Sequence, residues 1–240
     1  MNGMMLRDEC EVVDGAVAGG WIAHRLSSEF GLVRSHVPND YEAYCRIFHP
    51  AWDLNGRPVR WGTVAEHFGR TMHKEAQWES LVRRTASRLI LGGEMQGELT
   101  MTQHPIVGEL DYDSLNALLG LIGTRSHQGT ENCYFGLSII EGWLDHFAED
   151  ELEPLLTLPN ERTYIVMKGP LSPAVWRGIQ SPNLIWADDQ SWYAISDVDF
   201  DSTLFGGNQE LVGGIIGHPF LEAWQVEPGD SLASDADMVN

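Results

Sequence analysis

The chain is nearly without lysine, and after Arg177 it has no basic residue of either kind, although 11 acids follow. A surface of that sign repels phosphate backbones and anionic lipid, which excludes nucleic acid and membrane surfaces as partners. Cysteine is scarce as well. Cys10, Cys45 and Cys133 are odd in number and far apart. That excludes a disulfide framework and a cysteine-based zinc site. No stretch approaches the roughly 18 consecutive apolar residues of a spanning helix. The opening MNGMMLRDECEVVDG has acids where a secretory signal needs a basic flank and an apolar run. Together these absences predict a protein of the reducing cytoplasm. G-x-S-x-G, P-loop and G-x-G-x-x-G motifs are missing, as are CxxC and HxxxH pairs, so no cofactor, metal or catalytic residue is assigned.

What the chain does have is acid and apolar bulk. The net charge is −20, and 43% of the 240 residues are hydrophobic, enough to bury a real core. The charge is uneven. Residues 1–100 hold 13 acids against 11 Lys/Arg, and residues 101–240 hold 22 against 4. A field of this kind suits a basic protein partner, and it equally keeps a protein soluble.

Residues 1–20, Gly/Ala-rich and acidic, are expected to be a flexible N-terminal segment. Residues 21–230 read as a single domain with a candidate sub-boundary at 91–105, and 231–240 as an acidic C-terminal tail. Within the domain, 30–38 and 40–54 read as strands, the second ending in the hairpin dipeptide Asn55-Gly56. Residues 62–70 read as a short helix capped by Thr63, and 77–91 as another helix. Leu115, Leu118, Leu119 and Ile122 lie at i, i+3, i+4, i+7, one apolar helical stripe within 110–127, with Asp113 or Ser114 as its cap. Strands follow at 132–140 and 161–170. Residues 182–200 read as a hairpin turning at Asp188-Asp189-Gln190. Gly206-Gly207 ends the second hairpin strand, Asn208 caps a short helix that Pro219 stops, and LEAWQV is a last strand. Hairpin signals outnumber strand–helix–strand crossovers, so the fold class is α+β with a mainly antiparallel sheet and a few packed helices.

The segments SHQGTENCYFGLSIIEGW, LPNERTYIVMKGP and QSPNLIWADDQSWYAISDVDFDSTLFGGNQELV, with a final LEAW, carry a resemblance. The chain resembles a family of bacterial proteins that pairs an aromatic-rich Phe-x-Leu-Trp-Glu-Gly strand with a Leu-Pro-x-Arg-x-Tyr segment and an Asp-rich strand ending in Gly-Gly. The similarity runs from about 40 to 230. It departs at FGLSIIEGW, which is longer than the family form, and at Ile185, where the family has an aromatic residue. It implies kinship and no activity.

Two stretches are candidates for function. In SDVDFDS, Asp197, Asp199 and Asp201 match the first ligand positions of a calcium loop. However, Ser202 and Asn208 stand where the turn glycine and the bidentate glutamate belong. Period two predicts a strand with the three carboxylates on one wet face, roughly 7 Å apart. In EGWLDHFAEDELEP, Glu141 heads six acids, and Trp143 and Phe147 form an apolar edge on an expected helix. Glu141, Trp143, Asp197, Asp199 and Asp201 are therefore the expected partner-binding residues of a non-enzymatic, immunity-like binding protein. The alternative is a metal-assisted hydrolase built on Asp197, Asp199 and Asp201. Cys133 lies within an apolar run and reads as an inert buried thiol.

Overall fold

The computed structural model describes residues 9–29, 31–82, 101–125, 130, 132–149, 152 and 154–240. In chain order its elements are β1 (Glu11–Val13), α1 (Gly15–Arg25), β2 (Ala43–Phe48), β3 (Ala51–Asp53), β4 (Pro58–Val59), α2 (Trp61–Phe68), α3 (Trp78–Val82), β5 (Met101–Gln103), α4 (Tyr112–Arg125), β6 (Cys133–Ser138), β7 (Leu156–Thr157), β8 (Thr163–Gly169), β9 (Leu184–Ala187), β10 (Tyr193–Ile195), β11 (Ser202–Gly207), α5 (Gln209–Ile216) and β12 (Ala223–Val226). Nine strands make one sheet in the order β1-β8-β6-β9-β10-β11-β2-β12, with β7 also on β8, and every pairing is antiparallel. The class is α+β, as the sequence predicts. None of the described helices is long and apolar enough to cross a membrane.

β2, β9, β10 and β11 are buried at every position, because both faces of the sheet are covered. On one face the Leu115-Leu118-Leu119-Ile122 stripe of α4, with Leu211 and Ile215 of α5, packs on Cys45, Phe135, Ile165 and Phe205. On the other, Ile22 of α1 with Val33 and Val37 packs on Tyr44, Val166, Trp186 and Tyr193. A satellite core of Phe48, Trp61, Val64, Trp78 and Leu81 joins the small β4-β3-β5 sheet to α2 and α3.

Several local expectations lose to competing partners, some adjacent in the chain and some distant. Of the strand expected over 30–38, residue 30 lies outside the described residues and 31–38 are not a strand. A 3₁₀ turn at Val33–Ser35 forms instead, because the Ser35 hydroxyl donates to Leu32 O (2.6 Å) and accepts from Leu32 N (3.3 Å). Thr63 does not cap α2. The Glu222 carboxylate accepts Trp61 N–H (2.6 Å) and Gly62 N–H (2.8 Å) from across the chain. α4 is capped by Asp111, whose Oδ1 accepts from Asp113 N and Ser114 N at 3.1 Å each. Asn208 does cap α5, through Leu211 N–H at 2.8 Å, and the Asn55-Gly56 and Asp188–Gln190 turns are present, with Gly56 and Gln190 at positive φ. Of the helix expected over 77–91, residues 78–82 are helical and those from 83 onward lie outside the described residues, as does 91–100 of the sub-boundary.

The described part of the first 20 residues is ordered into the sheet. Glu11–Val13 pairs with β8, and Gly15 begins α1 behind an Asp14 cap. The tail is docked too. Asp237 accepts from His73 (2.9 Å) and Gln77 N (3.2 Å), and Asn240 exchanges bonds with Thr71 (2.9 and 3.0 Å).

Gly206 and Gly207 are the last two residues of β11, directly before the Asn208 cap. A Cβ at Gly206 would stand 2.5 Å from Tyr41 Cδ2 and 2.8 Å from Val37 Cγ1, so the missing side chain is what lets the 37–41 segment lie on the sheet. Gly206→Ala is expected to lower stability by about 1–3 kcal/mol through overpacking, read as a shift of the urea midpoint at unchanged slope.

Candidate functional site

Buried polar side chains cost stability unless they are hydrogen-bonded, so their placement is informative. Here they gather at one end of the large sheet, where β6 and β10 end, β9 and β11 begin, and β2 runs out. Ser138, Asn183, Ser196, Asp197, Ser202, Thr203 and His49 are all buried there. Asn183 is the hub. Its Oδ1 accepts Ser138 N–H (2.8 Å), and its amide donates to Gly108 O (3.1 Å) and Ser196 O (3.3 Å). A second chain runs alongside. His49 Nδ1 donates to Ile106 O (2.6 Å), which leaves Nε2 to accept from Thr203 (2.9 Å), and Ser196 Oγ lies 2.7 Å from Thr203 Oγ1. Burial, outweighing the Ile106 bond, pushes the His49 pKa down to about 4.

The Asp197–Asp201 segment is not a strand. β10 stops at Ile195, and the triplet rides the loop into β11. In a loop the period of two loses its meaning, and the three side chains part company. Asp197 is 4% exposed, its Oδ2 3.7 Å from His36 Nδ1 and its Oδ1 3.9 Å from Arg162 and 3.1 Å from Asp199 N. Burial raises its pKa, but His36, Asp199 N–H and Arg162 outweigh burial and hold the carboxyl below its ordinary value. Asp199 is 70% exposed and paired with Arg162. Asp201 is 22% exposed and 3.5 Å from Arg46, which also donates to Ser202 (2.9 Å) and Ala76 O (3.1 Å). Burial raises the Asp201 pKa against the pull of Arg46. Burial also pushes Arg46 down to about 10 despite Asp201.

The 141–154 segment is not one helix either. Its described start forms 3₁₀ turns, Ile139–Glu141 and Trp143–His146. Trp143 is buried in the α4 face of the core rather than displayed. Glu141 turns back to the sheet end, where its Oε1 would lie 2.8 Å from a Cβ on Gly108. Gly108 is at φ 86°, donates its N–H to Phe200 O (2.9 Å), and precedes Glu109. Glu109 Oε2 accepts Ser181 N–H (3.3 Å). Burial raises the pKa of both glutamates. Glu109 adds to the rise at Glu141, and Asp111 to that at Glu109. No basic side chain among the described residues pairs with either glutamate.

The expected residues Glu141, Asp197, Asp199 and Asp201 thus converge on one end of the sheet, with Asp197 and Asp201 neutralised internally and Glu141 left without a cation. Glu109, His36 and Arg162 were missed in the sequence reading. Arg162 had a signal, the turn residues of LPNERTY. It sits behind Glu161 at φ 63°, with its N–H on Asn160 Oδ1 (3.2 Å). Glu109 had only the glycine before it. Among the described residues no three His, Cys, Asp or Glu are arranged to hold a metal. The Cys133 thiol is fully buried and pushed up to about 12 by burial and by Asp189 and Asp188, which leaves it inert. Comparison with protein-family models, with curated proteins and with solved structures returns no match for this chain.

The buried neutral His49 has a pH signature. Its folded pKa lies below the unfolded value, so the unfolded chain binds the extra proton between about pH 6.5 and about pH 4, and stability falls as pH falls through that window. The loss is of order 3 kcal/mol. Urea denaturation of wild type and His49→Gln across the window measures it. The difference between the two proteins is expected to shrink by that amount toward pH 4, whereas a pH-independent difference would refute the assignment.

Proposed function

We propose that the protein is a non-enzymatic, immunity-like binding protein of the reducing cytoplasm that meets a basic protein partner with the acidic end of its large sheet. The observation that carries this reading is the pair Glu109 and Glu141, brought from distant segments within electrostatic reach of each other, half-buried and with no cationic partner among the described residues. Like charges brought together at reduced dielectric oppose folding, and an incoming positive group relieves them. Asp199 widens the acidic face at its exposed edge. The imbalance of residues 101–240 gives the long-range field that draws a basic partner in. Asp197, Asp201 and Trp143 serve this face indirectly, as supports. The hydrolase alternative finds no comparable support, since its three aspartates are turned to different partners.

The test uses the triple variant Glu109→Gln/Glu141→Gln/Asp199→Asn and an arginine- and lysine-rich basic peptide, titrated by calorimetry. Wild type is expected to bind in a salt-sensitive manner, losing roughly tenfold in affinity between about 50 mM and about 300 mM salt. The triple variant is expected to bind at least about tenfold more weakly. Equal binding by both proteins at every salt concentration would sink the reading.

A further inference from the structure

We infer that the molecule binds a small neutral aromatic alcohol, of the phenol class, in a cavity that shares no residue with the acidic face. The cavity measures about 200 Å³, and segments far apart in the chain meet around it. Phe48 comes from the end of β2 and Ser114 from the first turn of α4, and both are buried, so they form the floor. Pro58 and Arg60, before α2, and Pro219 and Phe220, before β12, are exposed and form the rim. An apolar cavity of about 150 Å³ already takes benzene. This one therefore has room for a single substituted ring.

The polar groups in the lining define the ligand's charge and its one hydrogen bond. The Glu222 carboxylate lines the cavity, fixed there by Trp61 N–H (2.6 Å) and Gly62 N–H (2.8 Å). It disfavours an anion. The Arg60 guanidinium donates to Pro219 O across the rim, and its charge acts on Glu222. It disfavours a cation. An uncharged guest suits both. Ser114 is different. Its backbone N–H is held by Asp111 Oδ1 (3.1 Å), but its hydroxyl has no hydrogen-bond partner among the described residues, although the residue is only 5% exposed. A buried hydroxyl left without a partner costs stability. One that lines a cavity can donate to, or accept from, a hydroxyl on a guest. The walls select the rest of the molecule. Pro50, Pro58 and Pro219 offer flat C–H surfaces, and Phe48 and Phe220 offer rings, against which an aromatic guest gains more than its buried area alone. Arg60 ties two segments of the rim together, and the volume suits a whole small molecule, so the occupant is a free compound.

The experiment is an NMR titration of the full chain at neutral pH with p-cresol, toluene and p-toluate. Saturable shifts of the Trp61, Gly62, Ser114 and Phe220 amides are expected with p-cresol. Toluene is expected to shift the same amides but to bind about tenfold more weakly, because it lacks the bond to Ser114. The charged p-toluate is expected to leave them unmoved. Ser114→Ala places a good helix former in α4 and removes a hydroxyl that has no internal partner, so the variant is expected to fold. It should bring p-cresol down to the level of toluene and leave toluene unchanged. Phe220→Ala, at the exposed rim, should weaken both p-cresol and toluene at an unchanged urea midpoint. The site would be overturned by an absent or unsaturable p-cresol response, or by equal binding of p-cresol and p-toluate. A Ser114→Ala protein that binds p-cresol undiminished, or that loses p-cresol and toluene alike, would overturn it too.

Discussion

One buried amide organises the functional end of this molecule. Asn183 uses its side chain to join the end of β6, the Gly108 loop and the end of β10. Its backbone meanwhile bonds Gly136 O (2.9 Å) and receives Ser196 N–H (2.7 Å). Three loops that are far apart in the chain acquire a common frame because a single residue can accept once and donate twice in the right directions. A buried amide stripped of any one of these partners would carry an unsatisfied group. The arrangement is thus all or none, and the positions of Glu109 and Glu141 inherit its rigidity.

Around that frame the acids divide into two populations. Asp197 and Asp201 have become structural, each facing a cation or an imidazole supplied from far along the chain, by Arg162, His36 or Arg46. Glu222 has likewise been turned into a helix cap, and Asp237 into a clasp on the 71–77 segment. Glu109 and Glu141 have been brought equally close to the protein interior and offered no counter-charge. The contrast argues that the unpaired acids are a retained feature, since the same fold neutralises their neighbours so thoroughly.

The sequence exposes local features well and distant ones poorly. The apolar stripe of α4, the Asn55-Gly56 turn, the Asp188–Gln190 turn and the Asn208 cap were all legible, because each depends on residues within a few positions. The Asp197–Asp201 triplet was not. Its alternation imitates a strand, but Asp199 N–H bonds the Asp197 side chain and Phe200 N–H bonds Asp197 O, so a local turn wins over extension. Trp143 sat in an acidic run and read as an exposed anchor, whereas the sheet face offered it a core. The Thr63 cap lost to a carboxylate 160 residues away. For Trp143 and Thr63 the decisive partner lies beyond any local window, whereas the triplet was lost to a competing turn within its own few residues. That Glu141 comes to the same end of the sheet as the triplet was not legible, because it depends on packing between segments far apart in the chain, and Glu109 had only the glycine before it as a cue.

The order of the strands also bears on how the chain is made. β2 belongs to the first quarter of the sequence, yet both strands that flank it, β11 and β12, come from the last quarter. During synthesis β2 therefore leaves the ribosome with two unsatisfied edges and a mostly apolar character, and it waits through most of translation for its neighbours. Loops of that span close slowly and leave strand edges open to the wrong partner. Arg46, set at the centre of that waiting strand, is a charge that a foreign sheet would have to bury unpaired. Ser202, Asp201 and the Lys74 and Ala76 carbonyls accept from it, and the first two arrive with the correct strand. The same guanidinium that locks the finished sheet thereby acts beforehand as a guard on the nascent one.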